Sequence, residues 1–533
     1  MTLAIRSPNS THGPIGYNLA PQAEGEHVLN ALASMFPSRL EQASDDHFVY
    51  LDTFDWRLFK RGMRLALHTA DENRALRLET NDACIYEPLP RSTAPRFAGD
   101  LPAGRIHDQI APIIAVRRLL PRVEIETKTN RVEIGDENKV MACVQLIQTH
   151  VTDPEANNDQ SKALDPKLQV AATCGDHPAT LRRITRYLEY DLGLDPATHE
   201  TFQEALEIIG HEPSSYRSKP EIGLEPTMTA GEAALAICRT LLDTLLVNEA
   251  GVRRDLDMEF LHDFRVAGRR TRSILALIGK VFEPQSKDHF REEFKWLGSV
   301  TGPVRDLDVH LLRMNNYRAS LPEAASKDLA PLGQYLRRHR STARRRLTAA
   351  LRSKRYHALV DTWRAHLDGS QPELLIERIA RQPVMDVASK RIWQAYRRVE
   401  KRANAIGPDS SADVLHKLRI ECKKLRYLLE LFYSLYDSND IDPLIKALKR
   451  LQKNLGDFND LVTQEAALRR IAHEMEQAKF ATVDCLLAMG QLLGELIWRQ
   501  HRERRRFAKC FARFNKPRNR KRFRQTFKTV AAN

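Results

Sequence analysis

The spacing of apolar positions changes character near Pro213. Before it, short segments alternate apolar and polar residues, as in His47-Phe-Val-Tyr-Leu51 and Arg74-Ala-Leu-Arg-Leu-Glu79, the period of a half-buried strand. Two more strands are predicted over Arg122 to Thr127 and Val140 to Thr149, after a Pro-rich stretch from Pro88 to Pro102. The Asp-, Asn- and Pro-rich segment from Thr152 to Pro166 reads as a loop, and Leu181 to Leu192 and Thr201 to Ile209 read as helices. Pro213 to Pro220, punctuated by Pro and Ser, reads as a linker. After Thr229 the period is 3.6, and helices are predicted over 229–247, 255–280, 286–300, 305–319, 325–352, 386–405, 412–435, 441–455, 459–477 and 481–514. Gly and Pro fall mainly between these segments, as at Gly302-Pro303 and Gly456, so Asp306 and Asp460 are expected at helix starts as N-caps. The fold class is α+β and multidomain.

Within the helical part the chain repeats itself. His262 is followed by Arg265, Arg269, Arg270 and Arg272, and 154 positions later His416 is followed by Arg419, Lys423, Lys424 and Arg426 at the same intervals. The apolar positions keep the same register, pairing Leu261 with Leu415, Phe264 with Leu418, Leu275 with Leu429 and Ile278 with Phe432. Further on, Lys295 matches Lys449, Gly302 matches Gly456 and Asp306 matches Asp460, without a gap. This is an internal duplication of helical bundles. On each amphipathic helix the His and three of its cations fall within about 80° of one another. Cations stacked on one face repel unless an anion lies over them. Two such stripes at the same phase point to a polyanionic ligand rather than to two solvated faces.

Charge sharpens the point. The formal net charge is +14, but Arg499 to Asn533 holds fourteen Lys or Arg against Glu503, a net of +13, which leaves +1 for the rest of the chain. The stripes, not the total, are therefore the evidence for a ligand. Seven scattered Cys (84, 143, 174, 238, 422, 485 and 510) without a C-x-x-C pair argue against zinc and a disulfide framework and favour a reducing compartment. The first residues, MTLAIRSPNSTHG, lack the apolar core of a signal peptide, and the most apolar run, Cys485 to Trp498, is too short to span a bilayer. A cytoplasmic protein with no membrane contact is expected. Cations about 5 Å apart along a helix suit polyphosphate or a nucleic acid backbone. Base recognition usually adds aromatic platforms, and only Tyr427 stands at the edge of a stripe. Phosphate without bases is the better fit, with Arg265 and Arg419 expected to face solvent or ligand.

The motif H-x-x-R-V-x-x-R-R-x-R, followed by Lys295-Trp-Leu-Gly298 and Arg305-Asp-Leu-Asp-Val309, resembles the first half of a CHAD (conserved histidine α-helical) domain. Leu415-His-Lys-Leu-Arg419, Lys423-Lys-Leu-Arg-Tyr427, Leu455-Gly456 and Asn459-Asp460 resemble its second half. The resemblance implies two four-helix bundles related by a pseudo-twofold, with a basic cleft that binds inorganic polyphosphate. More faintly, Tyr50-Leu-Asp-Thr53, Leu58 and Gly62 resemble a CYTH or triphosphate-tunnel domain, which implies an antiparallel β-barrel or tunnel. Arg131 and Tyr216-Arg-Ser-Lys219 also fall where such proteins carry similar residues. The family's first-strand E-x-E-x-K is missing from Gly16-Tyr-Asn-Leu-Ala-Pro21, its L-R-x-R is replaced by Leu65-Ala-Leu-His68, and Glu79 stands where a tunnel Lys belongs. The literal Glu124-Ile-Glu126-Thr-Lys128 lies in a middle strand and reads as coincidence.

The expected organisation is a degenerate tunnel domain over 1–215, a linker over 216–228, and a CHAD domain over 229–530. The latter comprises bundles at about 229–365 and about 380–514 and a basic tail at 515–533. The expected function is nonenzymatic binding of polyphosphate, with association to polyphosphate granules. Neither cofactor, metal nor catalytic residue is expected. The expected contacts are His262, Arg265, Arg269, Arg270, Arg272, Lys295, Arg305, His416, Arg419, Lys423, Lys424, Arg426, Lys449 and Lys453. Arg338, His339, Arg345, Arg502 and Arg505 are candidates for additional anion contacts. Two alternatives stay open: metal-dependent triphosphatase or polyphosphatase action by the tunnel domain, and nucleic acid binding by the basic surface. The oligomeric state is left open.

Overall fold

The computed structural model describes residues 15–528 except 20–22, 72, 137–138, 157–159, 173–177, 198–199, 214–215, 219–221, 279–280, 370–376 and 408. Cys174 and residues 219–221 of the expected linker therefore lie outside the described residues. The chain divides into two units, Met1–Ser218 and Lys219–Asn533.

The first unit is built on one antiparallel sheet. Its elements are β1 (Ile15–Asn18), α1 (Ala23–Met35), β2 (Ser38–Asp52), β3 (Arg64–Ala70), β4 (Asn73–Glu79), β5 (Cys84–Pro88), α2 (Arg105–Ile114), β6 (Leu120–Asp136), β7 (Lys139–Thr152), β8 (Lys162–Ala163), β9 (Lys167–Ala172), α3 (Pro178–Arg186) and α4 (Thr201–Ile209). The strand order is β1-β9-β7-β6-β2-β3-β4-β5, with β8 on β7. Period-2 alternation sends Leu65, Leu67, Leu76 and Leu78 to one face, where Ile106, Ile110 and Ile114 of α2 cover them. It sends Tyr50, Ala66, Val123 and Ile125 to the other face, against Phe202, Ala205 and Leu206 of α4. Helix α2 carries Pro112 in its interior, which hides it from a reading of the sequence.

Among the described residues the second unit is built of helices: α5 (Ala230–Arg254), α6 (Met258–Leu277), α7 (Pro284–Leu312), α8 (Met314–Ala319), α9 (Glu323–Asp328), α10 (Ala330–Leu351), α11 (Lys354–Leu367), α12 (Glu377–Ala380), α13 (Val384–Asn404), α14 (Ala412–Leu431), α15 (Ser438–Gln477), α16 (Val483–Phe514) and α17 (Pro517–Lys528). The duplication is visible in the helix boundaries. The starts of α5 and α13, α6 and α14, and α7 and α15 each differ by 154 (230 to 384, 258 to 412, 284 to 438). Ala230 N donates to Gln382 O at 2.7 Å, and Val384 N donates to Met228 O at 3.0 Å. Each of these bonds is the image of the other under the same offset, so a local pseudo-twofold passes between Thr229 and Pro383, which bridge.

Local chemistry sets α5 and α6. Thr229 and Glu232 form a capping box at the start of α5. Asp257 caps α6 by accepting from Glu259 N at 2.8 Å and Phe260 N at 3.3 Å. A Cβ at Gly251 would overlap the Phe260 ring, so glycine there lets the two helices cross closely. In the first bundle Phe290 and Phe294 pack on Trp363, at 4.5 and 5.7 Å between ring centres. A further core joins Tyr317, Leu332 and Leu336 to Leu468, Met475, Leu492 and Leu496, so the bundles share buried surface.

Three expectations are corrected. Helix α7 runs unbroken through Gly302-Pro303, and α15 runs unbroken through Gly456 for 40 residues. Pro303 sits on the exposed side while Thr301 and Val304 on either side are buried, so packing outweighs the local cost of the proline. Asp306 and Asp460 consequently lie in helix interiors and are not N-caps. The basic tail is a helix as far as Lys528: α17 is held by Phe523 and Phe527, both fully buried, while residues 529–533 lie outside the described residues.

Candidate functional site

On α6 the positions opposite the cations, Phe264, Ala267, Thr271 and Ile274, are buried. That leaves His262, Arg265, Arg269 and Arg272 on the other side, with Arg269 exposed and the rest partly so. Arg265 does not simply face outward. Its Nη1 donates to Gly298 O at 3.0 Å and Thr301 Oγ1 at 2.8 Å on α7, which corrects the expectation that it meets only solvent or ligand. Burial, with the nearby guanidiniums of Arg269 and Arg305, pushes the Arg265 pKa down, and Asp306 opposes them. Arg305 donates to Met258 O at 3.4 Å.

On α14 the copy of this arrangement is anchored to α15. His416 donates from Nδ1 to Asn459 Oδ1. Arg419 Nη2 donates to Asp460 Oδ1 at 3.3 Å, and Arg313 approaches the same carboxylate at 3.9 Å. Asp306 and Asp460 thus serve as counter-charges for the equivalent residues Arg265 and Arg419.

The two stripes meet. Burial, helped by Arg419 and by Arg269 from the other stripe, pushes the Lys423 ammonium down to about 8, with Asp460 opposing. Arg269 and Lys423 are 154 positions apart and so are equivalents. Equivalent residues that act on each other lie beside the pseudo-twofold. Among the described residues neither forms an ion pair. Alongside them, Arg270 Nη2 on α6 donates to Glu430 Oε2 on α14 at 3.4 Å, and Arg426 Nε stands 3.7 Å from Glu430 Oε1. Arg265, Arg269, Arg270, Arg305, Arg419, Lys423 and Arg426 therefore form one basic group drawn from both halves of the repeat.

Other expected contacts stand apart from this group. Lys424 is held by Glu421 at 2.8 Å, which also takes Arg398 at 3.2 Å. Lys295 pairs with Glu292 on its own helix at 3.0 Å, and Lys449 and Lys453 are exposed on α15. On α10, Arg338 is exposed, His339 packs against the Tyr335 ring, and Arg345 donates to Thr342 Oγ1 at 3.3 Å. Arg505 is exposed on α16. Arg502 lies over the Trp498 ring and borders a cavity of about 290 Å³ with Arg313, Arg499, Asp457, Asp460 and Glu503. Three cations and three carboxylates balance there, unlike the stripes. Reading the sequence missed Arg313, Glu430 and Arg470, the last of which acts on Asp306. Neither Arg313 nor Arg470 has a basic counterpart at the repeat offset (Ala467 and Asn316), so the duplication carries no signal for them.

In the first unit the residues that depart from the motif of the resembled family are paired with neighbours in the sheet. His68 Nε2 lies 2.6 Å from Asp46 Oδ1 and its ring stacks on Phe48. Glu79 pairs with Arg77 and, at 3.6 Å, with Arg64. Glu124 lies 2.5 Å from His47 Nε2, while Glu126 and Lys128 are not buried. Strand alternation places these two glutamates on the sheet face opposite to Tyr50, Arg64 and Arg77. Among the described residues no group of three or more His, Cys, Asp or Glu is arranged to hold a metal ion. Nor is any described helix long and apolar enough to cross a membrane.

Residues 236–469 match the CHAD domain family. The protein Rv2226 of Mycobacterium tuberculosis (strain H37Rv) is 30% identical over 236 residues, which are 43% of each chain. The chain thus spans less than half the length of that relative. The crystal structure of the CHAD domain from the plant Ricinus communis is 27% identical with a TM-score of 0.46, covering 56% of this chain and 96% of that one. The structure of HpAC1 from Hippeastrum is 15% identical with a TM-score of 0.26, covering 38% of this chain and 100% of that one. Residues 236–469, from within α5 to within α15, are a CHAD domain.

Proposed function

We propose that this protein binds inorganic polyphosphate, without catalysis, in a basic cleft between α6 and α14. The observation that carries this reading is the approach of the two stripes, where Arg270 of α6 reaches Glu430 of α14 at 3.4 Å and Arg269 acts on Lys423. Two like charges that form no ion pair among the described residues act on each other there, Asp460 opposes them only in part, and the partial burial of Lys423 strengthens the repulsion. A chain of phosphates laid across the axis relieves that repulsion and accepts charge-assisted hydrogen bonds from both stripes. Arg265 and Arg419, tied to α7 and α15, brace the cleft walls as well as contributing charge. The reading favours phosphate over nucleobase because Tyr427, the aromatic at the edge of the stripe, is buried with Arg426 over its ring and offers no stacking platform. Such a protein would collect on polyphosphate granules. Competition at one fixed salt concentration tests it. Long-chain polyphosphate is expected to displace labelled RNA at stoichiometric amounts, with no release of orthophosphate in Mg²⁺ or Mn²⁺. RNA that displaces polyphosphate, or phosphate release, would refute it.

The same residues set a pH dependence. Lys423 in the free fold titrates at about 8, against 10.5 for an ordinary lysine. Between these values the unfolded chain holds more protons than the folded one, so the stability of the free protein rises with pH across that window. A bound polyanion favours the charged ammonium, so affinity is expected to be full below about pH 8 and to fall, by up to about tenfold per unit, above it. Titrations at pH 7 and pH 9 check this, and Lys423→Arg should flatten the profile.

A further inference from the structure

Helix α16 presents a second surface with a different chemistry. Val483, Leu487, Ile497 and Trp498 are 73%, 63%, 37% and 53% exposed. Gly490 and Gly494 lie between them, and a Cβ at either would meet nothing within 4 Å. Positions 483, 487, 490, 494, 497 and 501 are spaced 4, 3, 4, 3, 4, which is the 3.5-residue period of a helix seam. The spacing is also palindromic about residue 492. Leu487 and Ile497 are equidistant from that point, as are Gly490 and Gly494, and Val483 and His501.

We infer that this face pairs with α16 of a second copy of the chain, antiparallel, about a twofold axis at the level of residue 492. An antiparallel twofold places Leu487 of each copy on Ile497 of the other and brings the two glycine pairs together, where backbones without side chains approach most closely. Charge selects the same orientation. The N-terminal end of the stripe carries Asp484 and no base, whereas its C-terminal end is bordered by Arg502, which lies over the Trp498 ring, and by Arg505. Antiparallel pairing sets the acid beside the bases and opposes the helix dipoles, while parallel pairing would stack the arginines. The bundle itself does not call for this surface. Helix α10, which follows α7 in the first half and packs against it, exposes Gln334, Arg337, Arg338 and Arg345 instead. Two exposed glycines in mid-helix weaken α16 on its own, a cost without return unless a backbone is to come close.

Sedimentation velocity on the full chain, free of polyanion, from about 1 to about 200 µM tests the inference, since one helix pair buries a small interface and a weak dimer is expected. The wild type should shift from monomer to dimer across this range. Gly490→Gln with Gly494→Gln should remain monomeric throughout yet melt at a higher temperature, because exposed helical glycines are replaced by a better helix former. Leu487→Arg should also be monomeric. A wild type that stays monomeric at every concentration, as it would if another part of the same chain covered this face, overturns the inference. So does a dimer that persists in the Gly490→Gln, Gly494→Gln variant.

Discussion

Combining Arg269→Glu with Lys423→Glu is expected to weaken binding of long-chain polyphosphate by about 10²- to 10⁴-fold, since each lost charged hydrogen bond is worth about 1.5–3 kcal/mol. The helical spectrum should not change, because neither side chain forms an ion pair among the described residues and Arg269 is exposed. The single change Arg269→Glu is more diagnostic still. It places a carboxylate against Lys423 where a guanidinium stood, so the melting temperature should rise while affinity falls. A residue that only supported the fold would lower both. Arg265 and Arg419 are poorer targets. Removing Arg265 leaves its bonds to Gly298 and Thr301 unmade, and removing Arg419 strips Asp460 of a counter-charge. Lost affinity there would be mixed with lost stability. Calorimetric titration beside thermal melting separates the two.

Truncation of Phe523 to Ala is expected to cost about 3–5 kcal/mol of stability in urea unfolding, the range for a fully buried aromatic. The ring is stacked on Tyr396, 4.1 Å between centres and 14° between planes, and lies 5.9 Å from Phe527 and 6.1 Å from Phe514. It fastens α17, and with it the exposed Arg518, Arg520, Lys521 and Arg524, to the second bundle. A solvated basic tail would tolerate the change within about 0.5 kcal/mol, as surface positions do. Polyphosphate affinity of the folded variant should stay within a few-fold of wild type, since the facing stripes are made by α6 and α14.

What could be read from the sequence follows physical lines. The stripes are legible because a 3.6-residue period and a duplication report the same positions twice, and α6 and α14 begin and end 154 residues apart as that register requires. The breaks expected at Gly302-Pro303 and Gly456 do not occur because glycine and proline report local preference, whereas α7 and α15 are held by the packing of residues such as Val304 and Leu455. The role of Arg265 as a tie between α6 and α7 depends on which carbonyl of α7 lies beside it, which no single-chain pattern records. Arg313, Arg470 and Glu430 enter the charge network through tertiary approach alone. In the first unit the alternation reveals strands, but α2, with its interior proline, does not declare itself.

The central claim is that the two stripes make one site, and the stoichiometry of polyphosphate binding tests it most directly. Calorimetric titration of the full chain with polyphosphate of one defined length is expected to give one polyphosphate chain per protein molecule, with Arg269→Glu alone and Lys423→Glu alone each removing most of the binding. Two polyphosphate chains per protein, or single reversals that each leave half of the sites intact, would show two independent stripes and contradict the account.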